Sequence, residues 1–365
     1  MVDSWSSDQS KELGNVKSPR QFVDILLFVS LRPFCPPPFG RPFSSFLLRF
    51  AMPSEHDYQD LHRLRENIEL AVLGKTEVVK QVVAALLAAE HILLEDVPGV
   101  GKTLIGKALA CSIDGKFTRL QFTPDLLPSD ITGSSVYNSG DGTFSFSEGP
   151  VFANVVLADE INRAPPRTQS ALLEAMGEGQ VSVDGETHRL PDPLLVIATQ
   201  NPFEFEGTYL LPESQLDRFL FRISVGYPAV EHEIALLKSH RVGEPVDNLK
   251  PVLSLERIRQ IQEATRSVHV DDSLVKYLLD IVHATRESEA VQVGVSTRGA
   301  LAYYRAAQAL AVVEDRDHVV PDDIKKLAIP VLAHRIVPRG LLPGADRTAS
   351  EEVVRDVIAN VVVPT

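Results

Sequence analysis

The run Leu93-Leu94-Glu95-Asp96-Val97-Pro98-Gly99-Val100-Gly101-Lys102-Thr103 constrains this chain more than any other stretch. Apolar residues from His91 to Leu94 predict a buried strand, and Leu104-Ile105-Gly106-Lys107-Ala108-Leu109-Ala110 has a helical pattern. A glycine-rich turn between strand and helix is the context that a phosphate-binding loop needs. Gly99 and Gly101 let backbone amides close around an anion, and the helix N-terminus adds partial positive charge. In such a loop Lys102 reaches the β- and γ-phosphates of ATP, and Thr103 ligates Mg²⁺. Pro98, Val100 and Leu104 complete the predicted cofactor-binding segment. One letter departs from G-x-x-x-x-G-K-[ST]: Asp96 stands where the first glycine belongs. Aspartate tolerates left-handed backbone angles, so the turn is expected to survive.

With 365 residues, 44% of them hydrophobic, the chain can bury a large core and is expected to form two domains. Its formal charge of -13 disfavours broad nucleic-acid binding, which runs on clustered Lys and Arg. The two cysteines, Cys35 and Cys111, lie in no metal-ligand spacing, so neither zinc nor a disulfide framework is expected. A reducing, cytoplasmic setting fits. No window approaches the roughly eighteen apolar residues of a membrane span. The nearest, Phe22 to Leu31, contains Asp24 and is closed by Arg32-Pro33.

Residues 1–51 differ from the rest. They hold seven of the sixteen Phe and a Pro-rich knot, with no sustained helical or strand period. They are expected to be a disordered extension or upstream sequence read through before a true start at Met52, and peptides from this stretch in the native protein would exclude the second reading. A helix is predicted from His56 to Leu73, ended by Gly74, and a second from about Glu77 to Glu90. A strand is predicted at Phe117–Phe122, and buried strands at Val155–Ala158 and Leu194–Ala198. Between them lie two hairpins, one around Ser139-Gly140-Asp141-Gly142 and one with Asp184-Gly185 at its tip. Strands buried on both faces and alternating with helices predict an α/β core with a parallel sheet over 52–227. Past Tyr227-Pro228 helical periods dominate, which predicts an all-helical domain over 228–365.

Asp159-Glu160 closes an apolar strand, where Asp159 can hold Mg²⁺ opposite Thr103 and Glu160 can act as general base on a water attacking the γ-phosphate. Asn201 ends the next buried strand and is a candidate to orient that water. In Leu211-Pro212-Glu213-Ser214-Gln215-Leu216-Asp217-Arg218-Phe219, Arg218 is a candidate arginine finger, although an arginine paired with Asp217 is the commoner use of such a sequence. Arg298 opens a predicted helix, Thr297–Val313, from which it can reach back to the γ-phosphate. Phe144 and Phe146 share one face of a hairpin, where packing onto the sheet competes with gripping a client.

Taken in order, these features resemble the MoxR family of AAA+ ATPases over about residues 56 to 365. The most specific segments are Leu94 to Thr103, Asp159-Glu160-Ile161-Asn162-Arg163-Ala164-Pro165-Pro166, Ala198-Thr199-Gln200-Asn201-Pro202 and Leu211 to Phe219. The resemblance implies a P-loop core with a helical lid. Lys102 and Thr103 then belong to Walker A, Asp159 and Glu160 to Walker B, Asn201 to sensor 1, Arg218 to the finger and Arg298 to sensor 2. Val72-Leu73-Gly74 is placed like the segment that touches adenine. It also implies a ring, a hexamer in expectation, that hydrolyses ATP between subunits. Such a ring assists maturation of partner proteins, often ones with von Willebrand A domains. A DNA-remodelling or helicase-like motor and a non-hydrolysing, nucleotide-controlled scaffold are the competing expectations. The acidic balance opposes the first, and intact Lys102, Glu160, Asn201 and Arg218 oppose the second.

Overall fold

The computed structural model describes residues 52–97, 99–140, 142–201, 208–239, 244–340 and 347–364. The predicted extension, 1–51, and Pro98 lie outside them. A capping box opens α1 (Glu55–Glu69): the Ser54 amide donates to the Asp57 carboxylate (2.6 Å), and the Ser54 hydroxyl accepts from the Asp57 amide. The predicted helix ends earlier than expected. Instead of running to Leu73, the chain turns after Leu70, and this buries Ala71 and Val72 together. Gly74 has φ +70°, and a Cβ there would overlap the imidazole of His232.

After α2 (Thr76–Leu87) comes the first sheet strand, β1 (His91–Glu95), followed by α3 (Lys102–Ser112) and β2 (Phe117–Gln121). A short helix α4 (Pro128–Thr132) leads into the hairpin β3 (Gly133–Asn138) and β4 (Thr143–Glu148). Next are β5 (Val155–Asp159), α5 (Pro166–Glu178), the hairpin β6 (Gln180–Val183) and β7 (Glu186–Arg189), and β8 (Leu195–Gln200). Asp184 and Gly185 both have positive φ, +52° and +84°, as a two-residue hairpin turn of this twist requires. A four-residue helix α6 (Glu213–Leu216) precedes β9 (Phe219–Ile223).

Five of these strands form one parallel sheet in the order β2-β5-β8-β1-β9. Alternate residues point to opposite faces and join different cores. Ile92, Leu94, Val155, Leu157, Leu195 and Ile197 pack on the face covered by α1, α2 and α3. Leu93, Val156, Ala158, Val196 and Ala198 pack on the face covered by α5. Near-complete burial of β1, β5 and β8 on both sides explains why these three read as apolar runs. Because the strands are parallel, the loops after β1, β5 and β8 emerge at one edge of the sheet.

The remaining helices are α7 (Val230–Ser239), α8 (Leu255–Thr265), α9 (Asp272–Glu287), α10 (Thr297–Val313), α11 (Pro321–Leu332) and α12 (Arg347–Asn360). Ser254, Asp271 and Ser296 cap α8, α9 and α10 through their side chains. A short antiparallel pair, β10 (Val291–Val293) with β11 (Val337–Pro338), joins the helices. Among the described residues, this helical part shares its core with the sheet. Tyr303, Leu278, Ile281 and Val331 belong to the same buried cluster as Ile92 and Leu94 on the sheet.

Arg335, almost wholly buried, ties the helical part to the sheet. Its Nε donates to Asp217 Oδ1 (2.8 Å), its Nη2 to the Phe219 carbonyl (2.6 Å) and its Nη1 to the Leu220 carbonyl (3.1 Å). Beside it, burial, the Arg335 guanidinium and the Arg222 guanidinium hold the His334 imidazole well below its ordinary 6.5. The unfolded chain therefore takes up a proton near pH 6.5 that the native chain refuses, and His334 costs stability as pH falls below that value. His334→Gln is expected to flatten this loss by up to about 1.4 kcal/mol per pH unit, read from urea unfolding; an unchanged slope contradicts the account.

Candidate nucleotide-binding site

Gly99 and Gly101 have φ values of +87° and +89°, and a Cβ on either would meet nothing within 4 Å. Glycine is needed there for conformation and not for lack of room, since the open side is a cleft of about 870 Å³. Gly101 is the N-cap of α3, so the first amides of an 11-residue helix face that cleft with Lys102 and Thr103. Val100 and Leu104 also line it. Lys102 Nζ donates to the Asp96 carbonyl (2.8 Å), which turns the ammonium back along the loop. Burial pushes the Lys102 ammonium below its ordinary value, while Asp159, Asp96 and Glu160 oppose that shift.

Asp159 and Glu160 line the same cleft from the end of β5. Thr199 Oγ1 donates to Asp159 Oδ1 (2.6 Å) and accepts from the Glu160 amide (2.9 Å), fixing both acids from the neighbouring strand. Arg119 donates to Asp159 Oδ2 through Nη2 (2.6 Å) and Nε (3.2 Å). Glu160 Oε2 accepts from Gln121 Nε2 (2.7 Å) and Arg163 Nη1 (3.2 Å). Glu160 itself has φ +58°, an unusual conformation for a residue with a Cβ.

Asn201 lines the cleft from the end of β8, and Val72 lines its other wall. Gly74 does not line it, although its neighbours Leu73 and Lys75 do. Arg218 and Arg298 are not brought to this cleft. Arg218 Nη1 donates to the Leu173 carbonyl in the middle of α5 and lies over Gly177, where an added Cβ would sit 2.8 Å from the guanidinium. Arg298 is exposed on the first turn of α10. The residue before Arg218 is held from the helical part: Asp217 accepts from Arg335 and, at Oδ2, from the hydroxyl of Ser296 (2.8 Å). Of the two hairpin aromatics, Phe146 stacks on His188 with centroids 3.8 Å apart, while Phe144 pairs with Tyr137 and stays exposed.

Thr199, Arg119 and Gln121 were not singled out from the sequence. Thr199 carried a usable signal, a hydroxyl in an otherwise apolar buried strand, where burial requires partners. Arg119 and Gln121 alternate along β2, at the edge of the sheet, and read as ordinary solvated positions. Thr199→Val keeps the shape but leaves Asp159 and the Glu160 amide each one bond short. It is expected to cost about 1–3 kcal/mol in chemical denaturation, with Thr199→Ser near the parent; an equal loss for both would contradict the hydroxyl's role.

Comparison with known proteins places the chain in a family. A family model described as "ATPase family associated with various cellular activities (AAA)" matches residues 91–221, and one for the AAA lid domain matches residues 283–357. Uncharacterized protein YeaC of Bacillus subtilis is 49% identical over 312 residues, covering 84% of this chain and 97% of that protein. Chaperone MoxR1 of Mycobacterium tuberculosis is 42% identical over 314 residues, covering 83% and 82%. A crystal structure from Cytophaga hutchinsonii, described as a candidate ATPase, superposes with a TM-score of 0.77 at 35% identity, covering 85% and 96%. The chain belongs to the MoxR family of AAA+ ATPases.

Proposed function

We propose that this chain hydrolyses ATP to ADP and phosphate at the cleft, and that a ring of such chains uses the cycle to remodel partner proteins. The observation that carries this reading is the meeting of Asp159 and Glu160 with Lys102, Thr103 and Asn201 around one cleft. A loop that merely held an anion would be weakened by two carboxylates facing it; they are useful where a cation and a water take part. The groups that meet there suit a nucleotide with Mg²⁺: a cleft of about 870 Å³ with open glycines, the Lys102 ammonium, the Thr103 hydroxyl and the carboxylates of Asp159 and Glu160. Lys102 would hold the β- and γ-phosphates, the segment Val72 to Gly74 the adenine, and Thr103 with Asp159 the Mg²⁺. That ion supplies charge neutralisation along the phosphates. Glu160 takes the proton of the attacking water, and Asn201 orients that water.

Arg218 is assigned to the site of the next subunit, a reading supported by its separation from its own cleft. Arg298 is assigned to the γ-phosphate when the helical part closes over the nucleotide. A hexameric ring, cytoplasmic location and client proteins with von Willebrand A domains follow from the family resemblance, and the relative named as a chaperone supports action on proteins. Lys102→Ala is expected to weaken ATP binding by about tenfold or more, whereas Glu160→Gln should keep ATP affinity and lose about 100-fold in turnover. Parent-like turnover in Glu160→Gln would remove Glu160 from the mechanism.

A further inference from the structure

The departure at Asp96 has a physical use. Its side chain, almost wholly buried, is not turned into the cleft mouth but accepts three donors from the segment that carries the chain out of β9: the Ser224 hydroxyl (3.1 Å), the Val225 amide and the Gly226 amide (2.9 Å). The carbonyls of the same segment are held from the other side. Lys75 Nζ donates to the Val225 carbonyl (2.6 Å) and the Tyr227 carbonyl (2.8 Å). Residues 224–227 connect the sheet to α7, the first helix of the helical part. Meanwhile the Asp96 carbonyl accepts from Lys102, and its amide donates to the Gln200 carbonyl (3.3 Å) one residue before Asn201. One residue thus touches the phosphate-binding lysine, the strand end that bears Asn201, and the connector to the helical part.

We propose that Asp96 is a positioning residue that couples occupancy of the phosphate loop to the connector 224–227, with Lys75 as the second jaw of the clamp. The proposal rests on the ATPase reading. Lys102 is drawn to phosphate when nucleotide enters, which releases the Asp96 carbonyl. The reordered loop holds the Asp96 carboxylate, and through it the two connector amides, more firmly. A glycine at position 96 would satisfy the usual loop pattern and lose this connection. The consensus residue is therefore expected to be the worse one here.

The test compares the full chain with Asp96→Gly, Asp96→Ala and Asp96→Asn, measuring ATP affinity, kcat and hydrogen exchange of residues 224–227 with and without a non-hydrolysable ATP analogue. In the parent, nucleotide should slow exchange at Val225 and Gly226 by about threefold or more. In Asp96→Gly that response should vanish and kcat should fall about tenfold or more, with ATP affinity within about threefold of the parent. Asp96→Ala repeats the result if the glycine variant fails to fold, and Asp96→Asn, which keeps an acceptor oxygen, should recover most of both signals. A parent-like kcat and exchange response in Asp96→Gly or Asp96→Ala overturns the proposal. So does a kcat loss matched by an equal loss of affinity, which would mean that Asp96 only shapes the loop, and so does an Asn variant no better than Ala. If the parent binds ATP without turnover, the ATPase reading fails, while the exchange comparison still decides the clamp.

Discussion

The parallel register of β1, β8 and β5 is the constraint on which everything else depends. Leu94 pairs with Thr199, Ala158 with Ala198, and Gln121 on β2 with Asp159. Since parallel strands all end at the same edge, this register puts the glycine loop, the acidic pair and Asn201 around one cleft although they are far apart in the sequence. It also makes Thr199 available to both acids at once. A shift of one residue would exchange the two buried faces of each strand, so the two hydrophobic cores that fix the sheet also fix the site.

Among the polar contacts that hold the helical part against the α/β core, two flank functional residues. At one, Asp96 and Lys75 grip the backbone of the connector. At the other, Arg335 and Ser296 grip Asp217, next to Arg218. Buried charge is costly unless its bonds are made, and both attachments meet that condition with several partners per group. They lie at opposite functional ends, one beside the phosphate loop and one beside the residue assigned to a neighbouring chain. The apolar contacts between sheet and helices supply stability, and these charged contacts supply orientation.

Much of this was legible in the residues. The glycine loop, the apolar strands β1, β5 and β8, both hairpins and the helices α8 and α10 follow from period and turn chemistry alone. The edge strand β9 was not singled out, because five residues, Phe219 to Ile223, give no period to weigh against the motif beside them. The end of α1 was missed because Ala71, Val72 and Leu73 continue an apolar pattern, while burial of Ala71 and Val72 in a turn is a tertiary effect. Asp96 is the clearest limit. Sequence pattern marks it as a mismatch, and only its contact with residues more than a hundred positions away makes it a part of the site.

The cleft is proposed to hydrolyse ATP with a residue from the next chain. This sharing is tested most directly by mixing Glu160→Gln and Arg218→Ala chains, each expected to be nearly inactive alone. In a randomly mixed ring the intact Glu160 of one chain meets the intact Arg218 of the other at about a quarter of the interfaces, so about a quarter of the parent ATPase rate should return. No recovery from two folded, assembled and nucleotide-binding variants would contradict the shared site.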